Sequence, residues 1–343
     1  MKRFSAWVLA ATVLAFSAPG QAQFVRNVSK VGTTAAPFLE IEVGSRALGM
    51  GGGFVGQADD ASALYWNVGG IARLPRNEVL LSHTRWLADI NFDYAAAVFK
   101  VGVDQAIGLS FTSLSMGDMK VRTVFYPEGT GELFTASSFA IAGSYGRNLT
   151  DRFSIGFTAK YVHESVWHMR SNGFAIDVGT LFTTQFHGMR LGMSISNFGT
   201  KMRLEGKDTQ VTHDIDPVKT GNNDRIIAYL GTDRWPMPLI FRVGVGMDVL
   251  KDDWNRLTVG VDAVHPNDNT EYLNVGMEYG FHGNFYARLG YKSLFMRDSE
   301  EGVTAGLGLR YPVTATLVVK ADYAYSQFGI LDSVQKVSLS LEF

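Results

Sequence analysis

Seven histidines, a scatter of carboxylates and hydroxyls, and no cysteine are what this chain offers for chemistry. The missing thiol removes cysteine catalysis, thiolate zinc sites and disulfide scaffolds together. The histidines are His83, His163, His168, His187, His213, His265 and His282. His163 and Ser165 share one register of a strand-like segment, as a membrane-embedded hydrolase would require. Two residues apart on a strand, their backbones lie ~6.5–7 Å apart. A nucleophile and its base must meet at ~2.6–3.2 Å, and no third, orienting group is visible. His213, Asp214 and Asp216 fall in a polar stretch and read as solvated, not as metal ligands. Asp59 and Asp60 precede Ala61 to Trp66 and read as the start of a short helix, where carboxylates suit free N–H groups. No further ligands gather around them at a metal-binding spacing. Gly49-Met50-Gly51-Gly52-Gly53 would need a βαβ unit to serve as a dinucleotide loop, and none follows. The expectation is no catalytic residue, no metal and no cofactor.

What such residues could do depends on the elements that carry them, and those elements alternate. Leu257, Val259, Val261 and Ala263 share one face of a segment; Arg256, Thr258, Gly260 and Asp262 share the other. Leu273, Val275, Met277 and Tyr279 repeat the pattern against Asn274, Gly276 and Glu278, and Val337, Leu339, Leu341 and Phe343 repeat it against Lys336, Ser338, Ser340 and Glu342. Strand side chains point to opposite faces with period two, so each segment is a two-faced strand. The strands expected are 78–86, 90–101, 104–116, 134–147, 152–166, 171–184, 188–198, 237–250, 255–265, 271–281, 284–295, 301–311, 315–326 and 335–343. Most run ten residues or more, against ~5–6 for sandwich strands and ~9–11 for a tilted bilayer crossing. A charge on the lipid side of a barrel costs roughly 2–4 kcal/mol near the midplane, and the apolar faces carry none. The fold class expected is therefore all-β, a transmembrane antiparallel β-barrel of about fourteen strands. The long connections, 117–133 and 199–236, both follow odd-numbered strands and so emerge on one side. Residues 118–126 alternate weakly and leave open whether they extend the barrel or fold over it.

Composition and leader agree. Across 343 residues, 46% are hydrophobic and 12% aromatic, with 37 glycines and a net charge of −2. Lys and Arg number 31 against 33 Asp and Glu, so there is no basic surplus for nucleic acid. Lys2 and Arg3, an apolar core from Phe4 to Phe16 and small residues ending at Ala22 form a secretory signal peptide. The organisation expected is a signal peptide at 1–22, a plug segment at 23–77 and a barrel at 78–343, in the bacterial outer membrane. An alternating segment ending in a C-terminal phenylalanine (Val337, Leu339, Leu341, Phe343) resembles the signal read by barrel-insertion machinery.

The segment before the barrel does not alternate. Fourteen strands enclose a lumen that admits water unless it is filled. Many inward positions are glycine, among them Gly156, Gly192, Gly244, Gly246, Gly260, Gly276, Gly290, Gly306 and Gly308. Glycine in a strand often marks another backbone close by, so the segment is expected inside the barrel. Inward charges (Lys160, Asp177, Arg190, Arg242, Asp248, Asp262, Arg288 and Asp322) are expected to pair with one another or with it.

Within this segment runs Gly44-Ser45-Arg46-Ala47-Leu48-Gly49-Met50-Gly51-Gly52-Gly53-Phe54-Val55, then Ala58-Asp59-Asp60-Ala61-Ser62-Ala63-Leu64-Tyr65-Trp66-Asn67. This block closely resembles the opening motif of the PorV/PorQ family, within the wider FadL-like group of outer-membrane proteins. Its matching positions include Arg46, Leu48, Gly49, Gly51, Gly52, Asp59, Asp60, Tyr65, Trp66 and Asn67. The resemblance implies a fourteen-stranded barrel with an N-terminal plug. One departure is that the family continues Asn-Pro-Ala-Gly where this chain has Asn67-Val68-Gly69-Gly70. The resemblance also implies a non-enzymatic part in type IX protein secretion, with exported cargo and a translocon as partners beside outer-membrane lipid. FadL-like uptake of long-chain fatty acids or other hydrophobic molecules is the alternative, and a purely structural or assembly role is a third. Thr200 to Asp233 carries ten charged residues from Lys201 to Arg225. It reads as hydrophilic and mobile, which favours a protein-contacting role over collection of a greasy ligand.

Overall fold

A strand whose apolar face meets lipid has no water for its backbone, so every N–H and C=O must find a partner sideways. Only a closed sheet leaves no edge unpaired. The computed structural model describes residues 30–219, 221, 223, 225–296 and 299–343, and within these the sheet closes. Its strands are β1 (Glu78–Arg85), β2 (Asn91–Lys100), β3 (Gln105–Ser115), β4 (Ala136–Thr150), β5 (Phe153–Val166), β6 (Met169–Thr183) and β7 (Arg190–Gly199). The second half is β8 (Ile240–Lys251), β9 (Asn255–Pro266), β10 (Tyr272–Phe281), β11 (Phe285–Leu294), β12 (Val303–Pro312), β13 (Val318–Gln327) and β14 (Ser333–Glu342). Each pairs antiparallel with its sequence neighbours, and β1 pairs with β14 from Glu78↔Glu342 to Arg85↔Gln335. The expected strands are all present, displaced at their ends by a few residues. The signal peptide expected at 1–22 lies outside the described residues.

Burial is inverted relative to a water-soluble sheet. On β14, Val334, Lys336, Ser338, Ser340 and Glu342 are buried, while Val337, Leu339 and Leu341 are 55%, 45% and 38% exposed. On β10, Asn274 and Glu278 are buried and Met277 and Tyr279 exposed. The apolar faces are thus open to the surroundings, which excludes two sheets sharing an apolar core. Trp254, Phe281, Phe285, Tyr311 and Phe343 are all exposed at the short-turn end, where an interfacial aromatic girdle belongs.

Both long connections leave the opposite end. Met119–Lys120 pairs with Leu133–Phe134 as a small hairpin of its own, so this stretch does not extend the barrel. In the second, Glu205–Gly206 continues onto β6, and Gln210–His213 pairs with Ile226–Tyr229. The expectation of a hydrophilic connection needs correcting. Ile215, Val218, Ile227, Tyr229 and Leu230 all stand exposed there. The charges between them conceal this in the sequence; Ile227 and Tyr229 lie on the paired hairpin, and Ile215, Val218 and Leu230 lie outside its paired residues.

Candidate functional site

From Val31 onward the chain and the strands form one unit. The segment between Val31 and Asn77 holds only short helical pieces, including α1 (Ser45–Gly49) and α2 (Ala63–Trp66). Such pieces cannot satisfy their own backbone groups, and inward-facing strand residues supply the partners. Ser45 N donates to Ser338 Oγ at 2.9 Å, and Ala61 N donates to Glu78 Oε2 at 3.0 Å. Phe54 N and Val55 N both donate to Asp262 Oδ2 at 2.8 Å. The segment begins at the long-loop end, where Ala35 N donates to Pro236 O and Thr34 Oγ1 to Asp268 Oδ2, each at 2.8 Å. It finishes at the short-turn end, where Phe343 N donates to Asn77 O at 3.0 Å.

The inward glycines set its distance from the wall. A Cβ on Gly276 would strike the Met50 carbonyl, and one on Gly260 would strike that of Gly53. Gly156 faces the Val68 carbonyl and Gly192 that of Val55 in the same way, while Gly146 faces the Ile71 side chain, so the contact runs around much of the barrel. Gly308 differs, because the space beside it is taken by the Arg288 and Asp322 side chains.

Arg46 is the centre of the charge network. Its Nη1 lies 2.6 Å from Asp59 Oδ1 and 3.1 Å from Asp60 Oδ2, and its Nε lies 2.8 Å from Glu278 Oε2. Arg288 joins Glu278 at 2.7 Å to Asp322 at 2.6 Å. Arg190 reaches both Asp59 and Asp248, and Lys160 pairs with Asp177 at 2.7 Å. Burial alone would push the Asp59 carboxyl up, but Arg46 and Arg190 overcome it and hold it well below the usual carboxylate range. At the long-loop end, burial reinforced by neighbouring Asp268 pushes Glu40 up to about 7.

Two of the expected inward pairings take another form. Asp262 is met by the two backbone N–H groups of Phe54 and Val55, the first of which also reaches Gly52 O at 2.9 Å. Arg242 lies over the rings of Tyr65 and Trp66 at 5.4 and 5.5 Å, a cation–π seat. Asp59 likewise serves Arg46 and not a helix N-terminus. Asp60 divides, its Oδ2 facing Arg46 and its Oδ1 accepting from Ser62 N at 2.9 Å.

The other motif residues are structural contacts. Leu48 is buried, and Gly49 lies against Gly306. Gly51 and Gly52 take φ of +64° and +78°, which excludes most side chains. Tyr65 Oη donates to Glu40 O at 3.1 Å and Trp66 Nε1 to Val43 O at 3.0 Å. Asn67 Nδ2 spans Val55 O and Thr180 O, while its Oδ1 accepts from Gly69 N at 3.1 Å. That last bond holds the turn without proline. Sequence reasoning put Glu278, Lys292, Lys320 and Lys336 on the polar strand faces but not among the charges expected to pair, and it did not single out Glu42 or Glu78. Their signal was charge in the inward register of strands or in the segment facing them.

The histidines do not converge. His163 Nδ1 is 2.7 Å from Asn172 Oδ1, His83 Nδ1 is 2.7 Å from Asp93 Oδ1, and His265 Nδ1 is 2.9 Å from Glu271 Oε1. Among the described residues no three His, Asp or Glu side chains gather as metal ligands.

Residues 24–217 match the family described as Type IX secretion system protein PorV. The chain belongs to the PorV family. The match covers more than half of the sequence and includes the whole inner segment up to β7. No curated protein matches. Solved structures similar to this PorV-family barrel include a Pseudomonas aeruginosa FadL homologue, 12% identical, covering 88% of this chain and 98% of that one with a TM-score of 0.53. The toluene transporter TbuX of Ralstonia pickettii is also 12% identical, covering 87% and 97% at 0.53. The toluene transporter TodX of Pseudomonas putida is 11% identical, covering 87% and 96% at 0.53. At these identities the likeness is one of fold alone; the PorV-family match and the closed sheet with its apolar outer side mark an outer-membrane barrel.

Proposed function

We propose that this barrel takes part in type IX protein secretion, without catalysis, by holding exported proteins or translocon partners at its long-loop end. The observation that carries this reading is the seating of residues 35–74, backbone against glycine, around the inner wall. A segment set so tightly acts as a plug and gives a solute no route without being dislodged, whereas the loops above it offer surface to a protein. Membership of the PorV family supports the same direction. The test is isolation of the native complex from outer membranes, scored for secreted proteins and for retained lipid. Secreted proteins are expected to co-purify; a stoichiometric lipid without them would overturn the reading.

A second reading, uptake of long-chain fatty acids or other hydrophobic solutes, is favoured by one observation. The 200–239 connection exposes Ile215, Val218 and Ile227, a surface on which an apolar molecule could collect. Saturable fatty-acid binding by the purified protein would support it.

A further inference from the structure

At the long-loop end, between the inner segment and the wall, lies a cavity of about 370 Å³. Phe38, Leu48, Trp86, Leu114, Phe328 and Val334 wall it, with five charged side chains among them, a concave lining of apolar walls and convergent polar groups such as binding sites use. Its charged groups are sorted by depth. Lys336 is 1% exposed, and among the described residues its ammonium donates to the Glu42 carbonyl. That is one acceptor for a group carrying three donors. Lys292, also buried, bridges Glu42 at 3.2 Å and Glu301 at 2.6 Å. Glu301 and Glu40 are partly exposed. Something entering therefore passes Glu301 and Glu40, meets apolar walls and ends at the N–H donors of Lys336.

Two lysines against Glu40, Glu42 and Glu301 leave this lining without surplus positive charge. A fatty acid would bring another carboxylate and no N–H donor. A peptide brings carbonyls for Lys336, N–H groups for the rim and a side chain for the walls. We propose that this cavity receives an extended protein segment with a bulky apolar residue beside a lysine or arginine, the apolar side chain against Phe328 and Leu48 and the cation at Glu301 and Glu40. This rests on the protein-binding reading given above and names the chemistry of the segment bound.

Trp86 meets Phe328 edge-to-face with ring centroids 5.3 Å apart, so its fluorescence reports occupancy. The full-length mature protein in lipid nanodiscs is titrated with N-acetyl-Phe-Lys-amide, N-acetyl-Phe-Glu-amide and laurate. The Trp86→Phe variant serves as the spectral blank. A saturable, Trp86-dependent shift is expected with the lysine peptide, about tenfold weaker binding with the glutamate peptide, and a reduced preference in Glu301→Gln. Equal binding of the two peptides, no Trp86-dependent shift, or a shift with laurate alone would each overturn the proposal. Ile90→Phe, which narrows the same cavity, separates the two levels of the argument. If secreted proteins still co-purify with that variant in full, the cavity is not their contact, while the secretion reading survives.

Discussion

Arg46 is tied to three carboxylates on two parts of the chain, and its side chain is 18% exposed. Removing one member of a buried ion network leaves the others uncompensated, at a cost of about 3–5 kcal/mol. Arg46→Met is therefore expected to lower the midpoint of urea unfolding of the purified barrel, and the unfolding free energy derived from it by that order. Arg46→Lys should recover only part, because an ammonium cannot fork between Asp59 and Glu278. An unchanged midpoint in Arg46→Met would show that the network holds nothing in place. Glu40 gives a pH signature with the opposite sign to a salt-bridged acid. Its folded value of about 7 stands above the ordinary 4.5, so its stabilising contribution is complete below the ordinary value and is lost as pH rises through about 7. The melting temperature of the parent should fall over that window more than that of Glu40→Gln. Parallel pH curves for the two proteins would contradict the assignment.

At the scale of the strand, the deciding feature is which face is dry. Leu339 points outward midway along β14, with Leu81 and Ala321 as its cross-strand neighbours. Arginine at that position should cost roughly 2–4 kcal/mol if it falls near the bilayer midplane. Ser338→Ala, one residue away on the inward face, removes the hydroxyl contact with Ser45 and Ser82 and should cost about 1 kcal/mol. Unfolding in lipid vesicles measures both. Equal effects would mean that the outward face is not in hydrocarbon. The strands were legible because alternation repeats in most of them; β2, apolar on both faces from Tyr94 to Phe99, is an exception. The hairpin inside the 200–239 connection was not, because two four-residue strands with charges between them give too short a period to recognise.

At the scale of the whole molecule, the inner segment and the wall behave as matched surfaces. Gly276 faces the Met50 backbone, whereas Gly143 faces outward with no atom within 4 Å of an added Cβ. Gly276→Val should unseat the segment, and single-channel recordings in planar bilayers should then show conductance that the parent lacks. Gly143→Val, the same change on the other side of the wall, should leave the parent behaviour intact. A silent Gly276→Val protein would mean that the segment does not close the lumen.

Alternation with period two, long strands and the scarcity of charge on one face determined the barrel from sequence alone, since lipid and water impose opposite demands on alternate residues. The block from Gly44 to Asn67 likewise pointed to its family, because so many of its positions are held to one residue type by contacts within and around it. What tertiary structure decided was pairing across the lumen: Arg46 with Glu278, Asp262 with two backbone amides, Arg242 over two aromatic rings. These partners lie up to 232 positions apart, and no local period connects them. Their meeting depends on barrel closure and on where the inner segment comes to rest, which are properties of the assembled chain.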